Sequence, residues 1–240
     1  MSARIGVIHA TRVAVSPIEA AFESHWPEAE VVQLIDESLI RDLDAVGHLT
    51  PEINERVESL AAFAHRGGAQ AILFSCSAFG PAIEAVQEKL PIPVLKPNQA
   101  MLDEALALGG RIRVLATFRP SGPSIRRELE ALAAQRKVDL NIEGSYVSGA
   151  LDALHAGDGE AHDALIAETA VDDPQADAVL LAQFSMARAR NEVARRVDAK
   201  VLSSPESAVL TLKQMMRTPV NGHAPATNGA ARIISEQHTV

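Results

Sequence analysis

Residues 71–78 read Ala71-Ile72-Leu73-Phe74-Ser75-Cys76-Ser77-Ala78. An apolar run of this length, closed by polar residues, reads as a short strand buried in a parallel sheet. It recurs, shifted by 107 positions, as Ala178-Val179-Leu180-Leu181-Ala182-Gln183-Phe184-Ser185. The same shift lays Arg4-Ile5-Gly6-Val7-Ile8 over Arg111-Ile112-Arg113-Val114-Leu115, and Gly67-Gly68-Ala69-Gln70 over Pro174-Gln175-Ala176-Asp177. One constant offset across two strand-like blocks and a turn points to a duplicated domain. The repeat breaks where it carries the only cysteine: Cys76 in the first half stands over Gln183 in the second.

Outward from this repeat, short apolar runs alternate with longer helical patterns, the mark of βα units. Strands are expected at 4–10, 30–35, 70–76, 93–95, 111–117, 138–142, 177–182 and 200–203. Helices are expected at about 51–66, 80–90, 98–108, 123–136, 159–171, 185–197 and 205–217. Thr50-Pro51-Glu52-Ile53 supplies an N-cap, a proline at the first helical position and an acidic first turn. Gly109-Gly110 ends an Ala- and Leu-rich helix. The expected fold is α/β, with two pseudo-symmetric parallel-sheet subdomains and an active site in the cleft between them. The first subdomain takes 1–96 plus about 204–217, and the second takes 97–203. From residue 218 to 240 the text turns small, polar and turn-rich, and reads as a flexible tail.

Bulk properties narrow the function. A chain of 240 residues can bury a substantial core. A net charge of −9 and 3% aromatic content argue against a nucleic-acid partner. No apolar stretch approaches the roughly 18 residues of a membrane span. The first residues enter a strand-like run at once, so no signal peptide is expected. A lone cysteine excludes an intrachain disulfide and a Cys-rich metal site. The expected compartment is the cytoplasm. No histidines pair at metal-ligand spacing, and no glycine-rich phosphate loop occurs, so neither metal nor cofactor is expected.

Cys76 closes its strand just before a small-residue segment that opens the next helix. Ligands of parallel sheets bind at the carboxyl ends of strands. The positive end of a helix dipole can lower a thiol pKa there. The alternative is a buried structural cysteine, packing as a small hydrophobe. The turn after the strand at 111–117, from Thr117 through Ser121 to Ser124, offers hydroxyl and backbone donors to an anion. Ser121 or Ser124 could equally act as an N-cap. In the first half, Thr11 and Ser16 occupy the matching turn. Gln183 can hydrogen-bond a substrate but cannot exchange a proton near neutral pH. Ser185 fits an anion contact and an N-cap alike. His9 ends the first strand, as a satisfied interior histidine or as an acid/base partner. His48 could reach over the cleft, whereas His25, His65, His155 and His162 read as solvated helix residues.

Four pieces of this chain, Ile5-Gly6-Val7-Ile8, Leu73-Phe74-Ser75-Cys76-Ser77, Ile92-Pro93-Val94-Leu95-Lys96-Pro97 and Val114-Leu115-Ala116-Thr117, carry a family resemblance in their order and spacing. The chain resembles the aspartate/glutamate racemase superfamily from residue 4 to about 217. That superfamily includes hydantoin racemases, maleate isomerases and arylmalonate decarboxylases. The resemblance implies a cofactor-independent enzyme in which one thiol from each half flanks the substrate α-carbon. The first thiol falls on Cys76 and the second on Gln183. The family's first-strand acidic residue falls on His9, and its second-half Cys-Thr-His motif reads Gln183-Phe184-Ser185. These departures argue against two-base racemisation.

The resemblance further implies that Thr11, Ser77 and Thr117 hold a substrate carboxylate; Ser75, Ser121, Gln183 and Ser185 are the further candidates to line a site for a small carboxylate or carbonyl substrate. Cys76 would be the acid/base or the nucleophile and His9 its candidate partner. Single-thiol decarboxylases, in which the thiol protonates an enediolate, and maleate isomerases, in which it attacks carbon, are the two precedents. The competing expectation is a catalytically retired member that binds a small anion. A homodimer is expected, as in many soluble enzymes.

Overall fold

The computed structural model of the chain describes residues 2–119 and 121–217. The expected tail at 218–240 lies outside the described residues. Strands β1 (Arg4–His9), β2 (Glu30–Ile35), β3 (Ala71–Phe74) and β4 (Val94–Leu95) form one parallel sheet, in the order β2-β1-β3-β4. Strands β5 (Gly110–Ala116), β6 (Leu140–Tyr146), β7 (Ala178–Leu181) and β8 (Lys200–Ser203) form the other, in the order β6-β5-β7-β8. The fold is α/β, with two four-stranded parallel sheets.

The offset read in the sequence is also the offset of the pairing. Ile5 pairs with Ala71 and Ile112 with Ala178. Ile72 pairs with Val94 and Val179 with Val201, again 107 positions on. The outer pairs drift, since Arg4 faces Glu30 whereas Arg111 faces Asn141, so the connection to β6 is longer than that to β2.

Alternation along each strand sends side chains to two helix layers. In the first sheet Ile5, Val7 and Leu73 pack against α1 (Val15–His25) and α10 (Ser204–Arg217) through Ile18, Phe22, Val209 and Leu212. On the other face Ile8, Ile72 and Phe74 meet α3 (Pro51–Arg66) and α4 (Gly80–Lys89) through Ile53, Val57, Ile83 and Val86. Leu39 of α2 (Ser38–Val46) joins this cluster. In the second sheet Ile112, Val114 and Leu180 pack on α5 (Gln99–Leu108) and α6 (Ser121–Arg136). Leu115, Val179 and Leu181 pack on α7 (Ala150–His155), α8 (Gly159–Ala170) and α9 (Arg190–Ala194).

Local chemistry sets several boundaries. The Thr50 hydroxyl accepts from Ile53 N at 3.4 Å, with Pro51 opening α3. Gly109 closes α5 at φ +69°, a conformation that favours glycine. Gly6 lets α3 approach the sheet: a Cβ at that position would sit 3.0 Å from the Cβ of Ala64.

Differences from the sequence reading fall where the apolar signal is short or diluted. Helices α1, α2 and α7 were not anticipated; α2 has nine residues and α7 six, too few turns for a clear period. Strand β6 runs on to Tyr146, beyond the expected 142, and at its edge position only Ile142 is buried, so the apolar signal is diluted. The helix expected at 185–197 is a 3-10 segment, Phe184–Ala189, followed by the short α9.

Candidate active site

In a sheet of order 2-1-3-4 the strand order reverses between the first and third strands. The crevice at their carboxyl ends is where ligands bind. This chain has two such switch points, at β1/β3 and β5/β7. The 3-10 turn Phe184–Ala189, just past β7, touches the 3-10 turn Arg12–Ala14, just past β1, and Phe184 packs against the cluster that holds Ile18 and Leu95.

Cys76 lies two residues beyond β3 in extended backbone, immediately before the 3-10 turn Ser77–Phe79 that leads into α4. It is a free thiol, half-buried against the cluster containing Phe74 and Phe79. Burial pushes its pKa up, the Ala78 N–H works in the opposite direction, and the nearby Asp44 carboxylate adds to the rise. The thiol therefore departs from the expectation of a lowered pKa. Loss of solvation outweighs the hydrogen bond at the helix start. Such a group rests as S–H.

Next to the thiol a partly buried polar chain joins β1, β2 and the residue after β3. His9 is fully buried, and its Nε2 lies 2.6 Å from Gln33 Oε1. Its Nδ1 lies 2.9 Å from Ser75 Oγ. Because an amide oxygen only accepts, Nε2 carries the proton and donates to Gln33, and Nδ1 accepts from the Ser75 hydroxyl. Burial lowers the His9 pKa more than the Gln33 contact and the Glu19 charge raise it, so the ring is neutral at neutral pH. Ser75 is itself buried, with its hydroxyl engaged by His9. His9 thus reaches Cys76 through the neighbouring Ser75 in the chain, with both ring nitrogens already occupied.

Thr11 and Ser77 complete the first-half rim. Thr11 is half-buried at the start of the 3-10 turn Arg12–Ala14, and its side chain makes no capping bond. Ser77 is exposed.

The second half is arranged differently. Gln183 follows β7 in extended backbone, as Cys76 follows β3. Its Oε1 accepts from the backbone N–H of Thr117 at 2.7 Å, from the Thr117 hydroxyl at 3.2 Å and from the Phe118 N–H at 3.2 Å. Thr117 is fully buried. Beside this turn the Arg119 guanidinium stacks over the Tyr146 ring, 4.1 Å from its centre. Ser121 is the first residue of α6.

Ser185 lies inside the 3-10 segment rather than at its N-cap, which Gln183 occupies. It lines a cavity of about 570 Å³ together with Val13, Ser16, His25, Arg190 and Glu206. That cavity sits between α1 and the turn after β7, and Cys76 does not line it. The structure thus brings His9, Ser75 and Cys76 together in one half, and Thr117 with Gln183 in the other. Ser185 belongs to a separate hollow.

Sequence reading missed Gln33, Ala78 and Asp44. The signal for Gln33 was an amide inside the apolar run Val31-Val32-Gln33-Leu34. Asp44 belongs to α2, one of the unanticipated helices. His162, expected to be solvated, is fully buried, with Nδ1 2.8 Å from Asp163 Oδ1. His155 is exposed, and His25 and His65 are half-buried. Exposed His48 contacts Val46 O at 2.9 Å. Among the described residues no group of three or more His, Cys, Asp or Glu side chains could hold a metal ion, and no helix is long and apolar enough to cross a membrane.

Two four-stranded parallel sheets of the same strand order, one carrying a thiol just past a switch-point strand, define a racemase-like α/β architecture. The Asp/Glu/hydantoin racemase family matches residues 5–212, and the chain belongs to that family. No curated protein matches the sequence. Among solved structures, an aspartate racemase homologue from Pyrococcus horikoshii superposes with a TM-score of 0.66 at 14% identity, covering 90% of this chain and 99% of the other. Allantoin racemase from Klebsiella pneumoniae gives 0.63 at 18% identity, covering 90% and 88%. A glycine-to-cysteine mutant of arylmalonate decarboxylase, in a sulfate-associated form, gives 0.61 at 20% identity, covering 94% and 97%. These likenesses establish the fold.

Proposed function

We propose that this family member is a cofactor-independent enzyme that delivers a proton from the Cys76 thiol to one face of a small carboxylate or carbonyl substrate. The observation that carries the reading is the asymmetry of the two strand ends. Cys76 is a half-buried thiol whose proton is retained by burial, whereas the matching Gln183 is an amide that cannot exchange one. A resting S–H suits an acid that protonates an enediolate or carbanion as it forms, after loss of carbon dioxide or a shift of a double bond. Attack by a thiolate on carbon is the second route, and it requires the substrate to bring the pKa down on binding.

In this reading Thr11 and Ser77 anchor a substrate oxygen, and the neutral His9 orients Ser75 beside the thiol. Ser121 and Ser185 are weaker candidates for substrate contact. One-sided protonation makes the enzyme an isomerase or decarboxylase in type rather than a two-base racemase. We also propose a chain divided into subdomains at 96/97 and 203/204, derived from a duplication, acting as a homodimer in the cytoplasm.

The test is a panel of amino acids, hydantoins, maleate and malonates incubated in deuterium oxide with wild type and Cys76→Ala. Deuterium uptake, carbon dioxide release or isomerisation names the reaction, and Cys76→Ala is expected to abolish it. Substantial turnover by Cys76→Ala with retained fold would sink the proposal. The retired anion-binder reading draws on the loss of the second thiol, with Gln183 in its place. It is favoured if anions bind but no member of the panel is turned over.

A further inference from the structure

The turn after β5 offers three donors at one point, the N–H groups of Thr117 and Phe118 and the Thr117 hydroxyl. All three are directed at one oxygen of the chain itself, Gln183 Oε1, at 2.7, 3.2 and 3.2 Å. A carbonyl oxygen has two lone pairs, so three donors saturate it. Gln183 is held to this place by its own strand: Leu115 pairs with Leu181, and Ala182 N donates to Leu115 O at 2.9 Å. An intramolecular acceptor so placed competes at high effective concentration with any ligand. An incoming anion would have to expel the amide and leave it without its three partners. In the first half the side chain at the corresponding position, Cys76, is too short to reach across in this way. Thr11, in the matching turn, spends no hydroxyl on capping.

We propose that Gln183 is a specificity-determining residue that fills the Thr117–Phe118 cradle as an internal carboxylate mimic. The cleft then anchors one substrate carboxylate, on the first-half side, and not two. This rests on the proposed site at Cys76 and narrows its substrate class. Monocarboxylates, or acids whose second carboxylate is not held by donors, are accepted. Diacids that need an anchor in each half are not.

The experiment reads binding rather than turnover. Wild type, Gln183→Ala and Gln183→Glu are titrated with acetate and with succinate, following the backbone amide resonances of Thr117 and Phe118. In wild type these two amides are expected to stay unmoved by either ion. In Gln183→Ala they are expected to shift saturably, with succinate bound about tenfold or more tighter than by wild type. In Gln183→Glu the carboxylate should remain in the cradle. The amides should then stay silent, and the Glu pKa should lie below the ordinary value of about 4.3.

The proposal is overturned if the wild-type amides titrate with succinate as those of Gln183→Ala do, or if Gln183→Ala folds without gaining the response. If Gln183→Ala does not fold, the Glu variant decides. A carboxylate there with an ordinary or raised pKa overturns the proposal. None of these outcomes depends on Cys76, so a failure of the proposed catalysis, seen as turnover by Cys76→Ala, is told apart.

Discussion

The Ser75 hydroxyl lies 2.9 Å from Nδ1 of His9, joining the ends of β3 and β1 one residue from the only cysteine. Through His9 the contact continues to Gln33 at 2.6 Å, so the thiol-bearing turn is tied to β2 as well. Both ring nitrogens of a fully buried histidine are thereby satisfied. The ring acts as a strut.

Replacing that strut has a stability cost with a pH signature. Gln at position 9 can set its amide where Nε2 stands but has no polar atom at the Nδ1 position to meet Ser75, so His9→Gln should destabilise the fold by about 1–3 kcal/mol, the cost of a buried group left without its bond. Burial holds the folded-state pKa of His9 below its ordinary value. The unfolded chain therefore binds the proton first on acidification, and wild-type stability should fall as pH drops below about 6.5. Denaturant unfolding at intervals from pH 8 to pH 5 checks this: the gap between wild type and His9→Gln is expected to narrow toward acid. A gap that is constant with pH would show that His9 does not carry this linkage.

Cys76 should be slow to alkylate at neutral pH. Because burial raises its pKa, the iodoacetamide rate, followed by mass spectrometry, is expected to rise with a midpoint above about 8.5, the value of an unperturbed thiol. A midpoint well below that would mean the Ala78 N–H outweighs desolvation, and would favour thiolate attack on carbon over proton donation.

Close packing of α3 on the first sheet depends on the absence of a side chain at position 6. In Gly6→Ala the added Cβ would meet the Ala64 Cβ at 3.0 Å, a backbone-fixed neighbour on a helix. A loss of about 1–3 kcal/mol is expected, the usual cost of overpacking. Combining it with Ala64→Gly removes the opposing atom, so the double-mutant cycle should return a favourable coupling of about 0.5 kcal/mol or more. Additive losses would mean the strain lies elsewhere.

Much of this architecture could be read from the chain. The repeat in which Ala71 to Ser75 lies over Ala178 to Ala182 marks two sheets whose inner strand pairs share one register, because buried parallel strands demand uninterrupted apolar residues wherever they occur. Pairings such as Leu73 with Leu95 and Leu180 with Leu202 follow it. The helix start at Thr50-Pro51 was equally legible, since capping is local chemistry. Helix α2 was not, and with it went Asp44, whose charge acts on Cys76 only after the chain has folded back over the strand ends.

By itself the sequence determined the two-sheet repeat, the placement of Cys76 at a strand end and its mismatch with Gln183. These depend on periodicity and position, which a linear text records. Only the tertiary structure decided what the mismatch does. Hydrogen bonds and solvation depend on which groups meet in space and on how far water is excluded. That is why Gln183 proves to be the acceptor for Thr117 and Phe118, and why the Cys76 pKa moves up rather than down.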